Sequence, residues 1–372
     1  MSAAAAQLAL LERARRLAAA LLFAVEGSAP LPPGALLLVG EDGAIEGSLT
    51  GGCVESAVVQ EARTLLRDGG APRTLTYGIA DELSGTVGLT CGGTVHVLLH
   101  ELRDADRAPL AAFLAAAREA APAALATLLD GPRAGARLAL VGERIHGSLG
   151  IGALLDGNVA ADARGLLARS GSEPLRYAAD GAKHGGELTV LVQATTAPRR
   201  MLLVGANDFS AALAPLARTL GYRVTICDPR AAFASSPRFA DAAEVVVGWP
   251  AEALAAQAPG PRDAVLVLSH DPKLDVPALR AALASEAGYV GALGSRRTTA
   301  ERERRLRAAG VPERALARIS APCGLDIGGA TPEEAAISIL AELVARRNGR
   351  AGGRLGATSG TIRPRGDAVA IL

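Results

Sequence analysis

The strongest constraint on how this chain can fold is a degenerate internal repeat relating Leu36–Glu101 to Leu138–Gln193. Leu37-Leu38-Val39-Gly40 recurs as Leu140-Val141-Gly142, and Gly47-Ser48-Leu49 as Gly147-Ser148-Leu149. Glu61-Ala62-Arg63-Thr64-Leu65-Leu66 is echoed by Asp162-Ala163-Arg164-Gly165-Leu166-Leu167, Tyr77 by Tyr177, and Gly92-Gly93 by Gly185-Gly186. Each copy reads as a β-hairpin, a tight glycine turn, a helix and a returning strand, a ββαβ unit. Asp42-Gly43 supplies the first hairpin turn. The expected N-terminal part, residues 1–198, is therefore an α+β domain built from two such repeats.

The copies differ where chemistry could reside. Gly51-Gly52-Cys53 and Cys91-Gly92-Gly93 in the first become Ile151-Gly152-Ala153 and His184-Gly185-Gly186 in the second. A scaffold that folds once without these thiols does not need them, so suspicion falls on chemistry at Cys53 and Cys91. Cys53 precedes a helix beginning near Val54, where the helix dipole favours thiolate over thiol. The paired glycines let a planar or anionic ligand approach the backbone N–H groups. The bland alternative is two small apolar residues at tight turns. A zinc site of Cys53, Cys91 and His96 matches no closed Cys/His spacing. His96 and His100 alternate with Val95, Val97 and Leu99, which predicts a solvated strand face for both; His146 and His184 have no companions that suggest ligation.

From Arg200 onward short apolar runs alternate with helical ones, the signature of a doubly wound parallel sheet. Strands are expected at Met201–Ala206, Val224–Cys227, Val245–Val247, Ala264–Leu268 and Val290–Leu293, and helices at Phe209–Leu220, Pro277–Ser285, Thr298–Ala309 and Pro332–Arg347. Thr331 is the N-cap of the last, with Pro332 at its first position. This Rossmann-like domain spans 199–349, and the glycine-, serine- and arginine-rich residues 350–372 read as a mobile tail.

Gly205-Ala206-Asn207-Asp208-Phe209-Ser210 lies where a dinucleotide fingerprint belongs, with Asn207 replacing the glycine that admits the pyrophosphate. Asp228 ends the second strand, at the place of a ribose-binding carboxylate, and Arg230 leaves room for a 2′-phosphate. Ser269-His270-Asp271 and Gly294-Ser295-Arg296-Arg297 end the fourth and fifth strands, on the side that lines a ligand crevice. His270 with Asp271 could serve as a general base, but no serine nucleophile stands nearby. The Gly294–Arg297 turn is an anion cradle or an N-cap serine opening a solvated, charge-rich helix that includes Glu301-Arg302-Glu303.

Composition narrows the classes. The 372 residues, at about 150 per domain, make two or three domains. Hydrophobic residues make up 49%, and 39 basic against 38 acidic side chains leave +1, which argues against an electrostatic nucleic-acid binder. Only Lys183 and Lys273 are lysines, a bias to which no function is attached. Cys53, Cys91, Cys227 and Cys323 are too scattered for a disulfide framework, so a cytoplasmic location is expected. Arg13, Arg15 and Arg16 before the apolar run Leu17–Val25 imitate a secretory leader. That run is too short to cross a bilayer, which takes about 20 apolar residues, and Leu8, Leu10, Leu11, Leu17 and Leu21 suit an amphipathic helix leading into a strand.

Taken in order, several strings resemble the XdhC/CoxI family of accessory proteins for bacterial molybdenum hydroxylases. They are Gly27-Ser28-Ala29-Pro30 with Pro33-Gly34, Gly47 through Glu55, Gly88-Leu89-Thr90-Cys91-Gly92-Gly93, and Gly294-Ser295-Arg296-Arg297 with Gly324-Leu325-Asp326-Ile327-Gly328 and Thr331-Pro332-Glu333-Glu334. The resemblance implies a maturation factor rather than a catalyst. It implies binding of molybdenum cofactor (molybdopterin), protection while a cysteine desulfurase-type sulfurtransferase installs a terminal sulfur, and delivery to an apo-hydroxylase of xanthine or carbon monoxide dehydrogenase type. A homodimer is expected, with no nucleic-acid or membrane partner. On this reading Cys53 and Cys91 meet the soft metal centre and the glycine-turn amides and arginines meet the pterin phosphate. Cys323, where an apolar residue is expected, is a reactive thiol or simply a small one. The rivals are an NAD(P)-dependent oxidoreductase using Gly205 and Asp228, and a docking scaffold for hydroxylase and sulfurtransferase.

Overall fold

The computed structural model describes residues 3–78, 93–167, 171–183 and 186–359. It divides into two compact units between Ala197 and Pro198. Cys91 and Gly92 lie outside the described residues, as do His184, Gly185 and the tail from 360. Residues 350–359 are exposed and include a short 3-10 turn, Leu355–Ala357.

The first unit opens with α1 (Ala3–Arg13), β1 (Leu17–Glu26), β2 (Leu36–Gly40), β3 (Ile45–Gly47), α2 (Glu55–Asp68), β4 (Arg73–Tyr77) and β5 (Thr94–Glu101). Helix α3 (Asp104–Arg118) leads to the second copy: β6 (Ala123–Leu128), β7 (Arg137–Val141), β8 (Arg144–Gly147), α4 (Ala153–Leu167), β9 (Gly171–Tyr177) and β10 (Leu188–Thr195). The sheets run β3-β2-β1-β5-β4 and β8-β7-β6-β10-β9, the same order in both copies. Every neighbouring strand pair in them is antiparallel. The repeat is thus larger than the expected ββαβ. Each copy is βββαββ, because the central strand comes before the hairpin and the return is itself a hairpin.

The apolar run after Arg16 is that central strand, not a continuation of the helix. Ala18, Ala20 and Leu22 face α2 within the first copy. Leu17 and Ala19 join Leu110, Phe113, Ala123, Leu125 and Ala139, while Leu21 and Phe23 join Leu129, Ala134 and Leu191. A strand buried on both faces carries no alternation to read. In β6, Ala124, Ala126 and Leu128 likewise face α4, and Ala123 and Leu125 face the other copy. The two sheets therefore share one interior.

That packing corrects the histidine expectation. His96 is half-buried, beside Thr76 Oγ1 at 3.1 Å and Glu26 Oε1 at 3.3 Å. His100, four residues further along the same face, is buried at 1% exposure because this face of β5 turns toward the second copy. Its Nε2 lies 3.2 Å from Arg137 Nη2, and Gly135 leaves room for its ring. Burial, and then the Arg137 charge, push its pKa down to about 3.

The second unit holds β11 (Arg199–Val204), α5 (Asp208–Thr219), β12 (Tyr222–Asp228), α6 (Ala231–Ala234), β13 (Glu244–Val247), α7 (Pro250–Gln257) and β14 (Ala264–Val267). It continues with α8 (Pro272–Ala284), β15 (Tyr289–Ala292), α9 (Arg296–Ala308), α10 (Glu313–Leu316), β16 (Ile319–Ser320) and α11 (Pro332–Arg347). The sheet is parallel throughout, ordered β13-β12-β11-β14-β15-β16, with α5 and α11 packed on one face and α7, α8 and α9 on the other. The five expected strands are present, and β16 extends the sheet. Helix α8 starts at Pro272 rather than Pro277, since Asp271 caps it by accepting the Lys273 N–H at 2.9 Å. Thr331 and Glu334 form a full capping box on α11.

Candidate functional site

The first copy's glycine turn, residues 48–54, connects β3 to α2 and folds around one carboxylate. Gly51 and Gly52 adopt φ of 76° and 119°, a backbone that side-chain-bearing residues rarely take. This curvature points successive amides inward onto Glu55. Its Oε1 accepts from Ser48 Oγ (2.7 Å), Leu49 N (3.0 Å), Thr50 N (2.7 Å) and Gly51 N (3.0 Å). Its Oε2 accepts from Thr50 Oγ1 (2.9 Å), Gly52 N (2.8 Å) and Val54 N (3.2 Å). Burial raises the pKa of Glu55, but the hydrogen bonds from Thr50, Ser48 and Leu49 outweigh it and hold the group down at about 2.

Cys53 sits on this turn two residues before the helix, half-buried against the core that includes Val54 and Val58. The expectation that the turn amides cradle a ligand phosphate is corrected, because Glu55 already occupies them. Gly51 approaches Pro30, and Gly93 packs against the backbone of Glu26 and Ser28 so closely that a side chain would collide with it. The two glycine strings thus meet one segment, Glu26–Pro30. Cys91 and Gly92 lie outside the described residues. Among the described residues no three His, Cys, Asp or Glu side chains gather as a metal site, and the zinc reading gains nothing.

Glu55 went unassigned in the sequence, yet a signal existed. The second copy, which lacks the thiol, keeps an acid at its turn, where Asp156 accepts the Leu149 N–H at 2.9 Å.

In the second unit a cleft of about 700 Å³ opens where β11, β12 and β14 end, lined by Ala206, Asn207, Arg230, Arg238, Ser269 and His270. Gly205 brings its turn against Ser269. Asn207 caps α5 through Ser210 N (3.1 Å) and donates to Leu268 O (2.9 Å). Asp228 is fully buried, and its oxygens accept from Ala206 N, Arg230 N, Arg230 Nε and Arg230 Nη2 at 2.8–2.9 Å. It is therefore not an open ribose carboxylate. Arg238 pairs with Asp208 at 2.5 Å, so a carboxylate and an amide stand where a pyrophosphate would meet the helix. Asp271 is a helix cap, which corrects its reading as partner of a His270 base.

Ser295 caps α9 by accepting the Thr298 N–H (3.1 Å), with Gly294 before it and Arg296 and Arg297 exposed in the first turn. The helix is not uniformly solvated as expected. Arg302 is 4% exposed and donates to Asp275 Oδ2 (2.9 Å) and Leu293 O (3.0 Å), while Ser269 bonds the other Asp275 oxygen. Burial pushes the Cys227 thiol up to about 11 and Cys323 up to about 12, so Cys323 is the small buried residue of its two readings. No helix among the described residues is long and apolar enough to cross a membrane.

These features define a two-part protein, a duplicated antiparallel domain with a cysteine on one of its two glycine turns and a Rossmann-like domain. Residues 10–78 and 116–178 match the model of the XdhC and CoxI family, and residues 201–343 match that of the XdhC Rossmann domain. The chain belongs to the XdhC and CoxI family. It is 27% identical over 355 residues to a probable xanthine dehydrogenase subunit of Bacillus subtilis (strain 168), covering 91% of this chain and 96% of that one. It is 28% identical over 326 residues to the molybdenum cofactor insertion chaperone PaoD of Escherichia coli (strain K12), covering 88% and 82%. The crystal structure of a xanthine dehydrogenase from Bacillus halodurans superposes with a TM-score of 0.70 at 26% identity, covering 96% of this chain and 98% of that one.

Proposed function

We propose that this chain is a maturation factor that binds molybdenum cofactor, shields it while a cysteine desulfurase-type sulfurtransferase replaces a terminal ligand with sulfur, and passes it to an apo molybdenum hydroxylase. The cofactor is cargo: it brings a soft metal already held by the pterin's own sulfurs, so the protein needs to offer few ligands rather than a closed cage. Cys53 fits that demand, as a half-buried thiol on a glycine turn. The observation that carries the reading is the contrast between copies, since the second copy forms the same strand order and a helix after its glycine turn with no cysteine there. The similarity to an insertion chaperone along most of both chains supports it. Cys91, with Gly92 and Gly93, is the second ligand in this proposal. Because Glu55 holds the Gly51 and Gly52 amides, the pterin phosphate is not assigned to them. Gly205, Asp228 and Gly294 through Arg297 receive no part in cofactor binding either, and no observation favours NAD(P) chemistry at the saturated Asp228.

The test is anaerobic purification from a host that makes the cofactor, with metal analysis and fluorescence of the oxidised pterin for wild type, Cys53→Ala and Cys91→Ala. Pterin and molybdenum near one per chain in wild type, lost in either variant, are the expected result. Retention in both variants would remove the thiols from the site, and a wild type free of pterin would favour the docking scaffold.

A further inference from the structure

Buried between the two sheets of the first unit is a guanidinium with too few partners. Arg137 on β7 and Thr127 on β6 stand directly opposite each other across the strand pair and are 1% and 0% exposed. Their neighbours Ala126, Leu128 and Leu138 face α4, so by strand alternation these two side chains turn to the interior that the copies share. There Arg137 Nη2 donates to His100 Nε2, which is free to accept because His100 Nδ1 donates to Glu101 O at 3.0 Å. Among the described residues Arg137 Nε, Arg137 Nη1 and Thr127 Oγ1 have no hydrogen-bond partner. The charge is not balanced either. Asp106, the acid acting on this guanidinium, gives one oxygen to the Arg137 backbone N–H (3.0 Å) and the other to Arg103 Nε (2.6 Å). Two guanidiniums thus share one carboxylate, and burial lowers the Arg137 pKa only to about 10, which leaves it charged at neutral pH.

A buried charge without a counter-charge is strongly destabilising, and buried donors without acceptors are rare. The duplication shows that the fold does not require either residue. The pair in the same place of the first copy is Leu21 and Leu36, opposite each other on β1 and β2, and Leu36 O and Arg137 O each close over a hairpin glycine, Gly47 and Gly147. From the unbalanced guanidinium and the adjoining hydroxyl we infer that Arg137 and Thr127 bind a small inorganic anion, held beside His100 where the two copies meet. A water accepting from both nitrogens would have two protons to place against Thr127 Oγ1 alone, since Leu98 on the His100 face of β5 and Leu191 paired with Thr127 are apolar. An anion brings only lone pairs, and the missing charge with them. The site is independent of any role for Cys53.

The experiment is peptide-resolved hydrogen exchange of the full chain across a sodium chloride series, with sodium gluconate holding the ionic strength constant. Exchange of β5, β6 and β7 is expected to slow saturably, by about tenfold when chloride is about ten times its half-saturating concentration, while β11 to β14 of the second unit do not respond. Arg137→Leu, which installs the first copy's residue, should abolish the effect, and Thr127→Val should raise the half-saturating concentration about fivefold. Wild-type exchange indifferent to chloride overturns the inference, and is the result a water at this place would give. So does slowing that survives in Arg137→Leu or extends equally to the second unit, which would mark a general action of salt. If Arg137→Leu does not fold, Thr127→Val decides: an unchanged half-saturating concentration overturns the inference, and a raised one supports it.

Discussion

At the scale of single residues, the domain hides ionisable groups where a strand pattern seems to promise solvent. His100 is the clearest case, a neutral imidazole against the Arg137 guanidinium between two sheets. Its folded pKa, about 3, lies below the ordinary histidine value of 6.5. The unfolded chain therefore binds a proton that the folded one refuses, and the His100 contribution, complete above about pH 6.5, declines as pH falls toward 3. Urea midpoints at pH 7.5 and pH 4.5 check this, because His100→Gln should lose less stability between the two than wild type does. Glu55 acts in the same direction through another range. Its pKa is depressed from 4.5 to about 2, so the order it lends to the turn is complete above 4.5 and is lost as pH falls through 2.

At the scale of elements, each copy leaves its β-hairpin through a glycine with positive φ beneath a cross-strand carbonyl. A β-carbon on Gly47 would lie 2.1 Å from Leu36 O, and one on Gly147 would lie 2.7 Å from Arg137 O. Gly47→Ala should therefore cost more than about 2 kcal/mol, from the close contact and the strained φ together. Gly52 has a φ of 119° but open space around it, so Gly52→Ala should cost less, about 1 kcal/mol, as denaturant unfolding would show. The elements of the second unit were legible because their signals are local: Thr331 and Pro332 open α11, and short apolar runs mark β11 to β15. What stayed hidden depended on partners far along the chain. Leu17–Phe23 is continuously apolar because both its faces are covered, and His100 is buried by a sheet that begins at Ala123. The thiol on the Gly51-Gly52 turn could be read from residue types. The carboxylate at its centre went unassigned, because its role arises from a backbone curvature that gathers the amides of the preceding turn onto one oxygen pair.

For the molecule as a whole, the two copies share an interior, whereas contacts divide the chain at Ala197 and Pro198. This predicts different fates for fragments. Residues 198–359 expressed alone should show one cooperative thermal transition, since both faces of their sheet are covered from within the unit. Residues 1–120 should not, because they would expose Leu17, Ala19, Leu21, Phe23 and Phe113 to water without the second copy, burial of each large side chain being worth about 1.5–3 kcal/mol. Circular dichroism melts of the two fragments distinguish the cases. Duplication with a common core also places the halves under unequal obligations. The second half is bound to keep its shape whatever its turn does, since the first half would otherwise lose its wall. Its turn, which carries no cysteine, is the place where sequence can drift without touching the first copy's thiol.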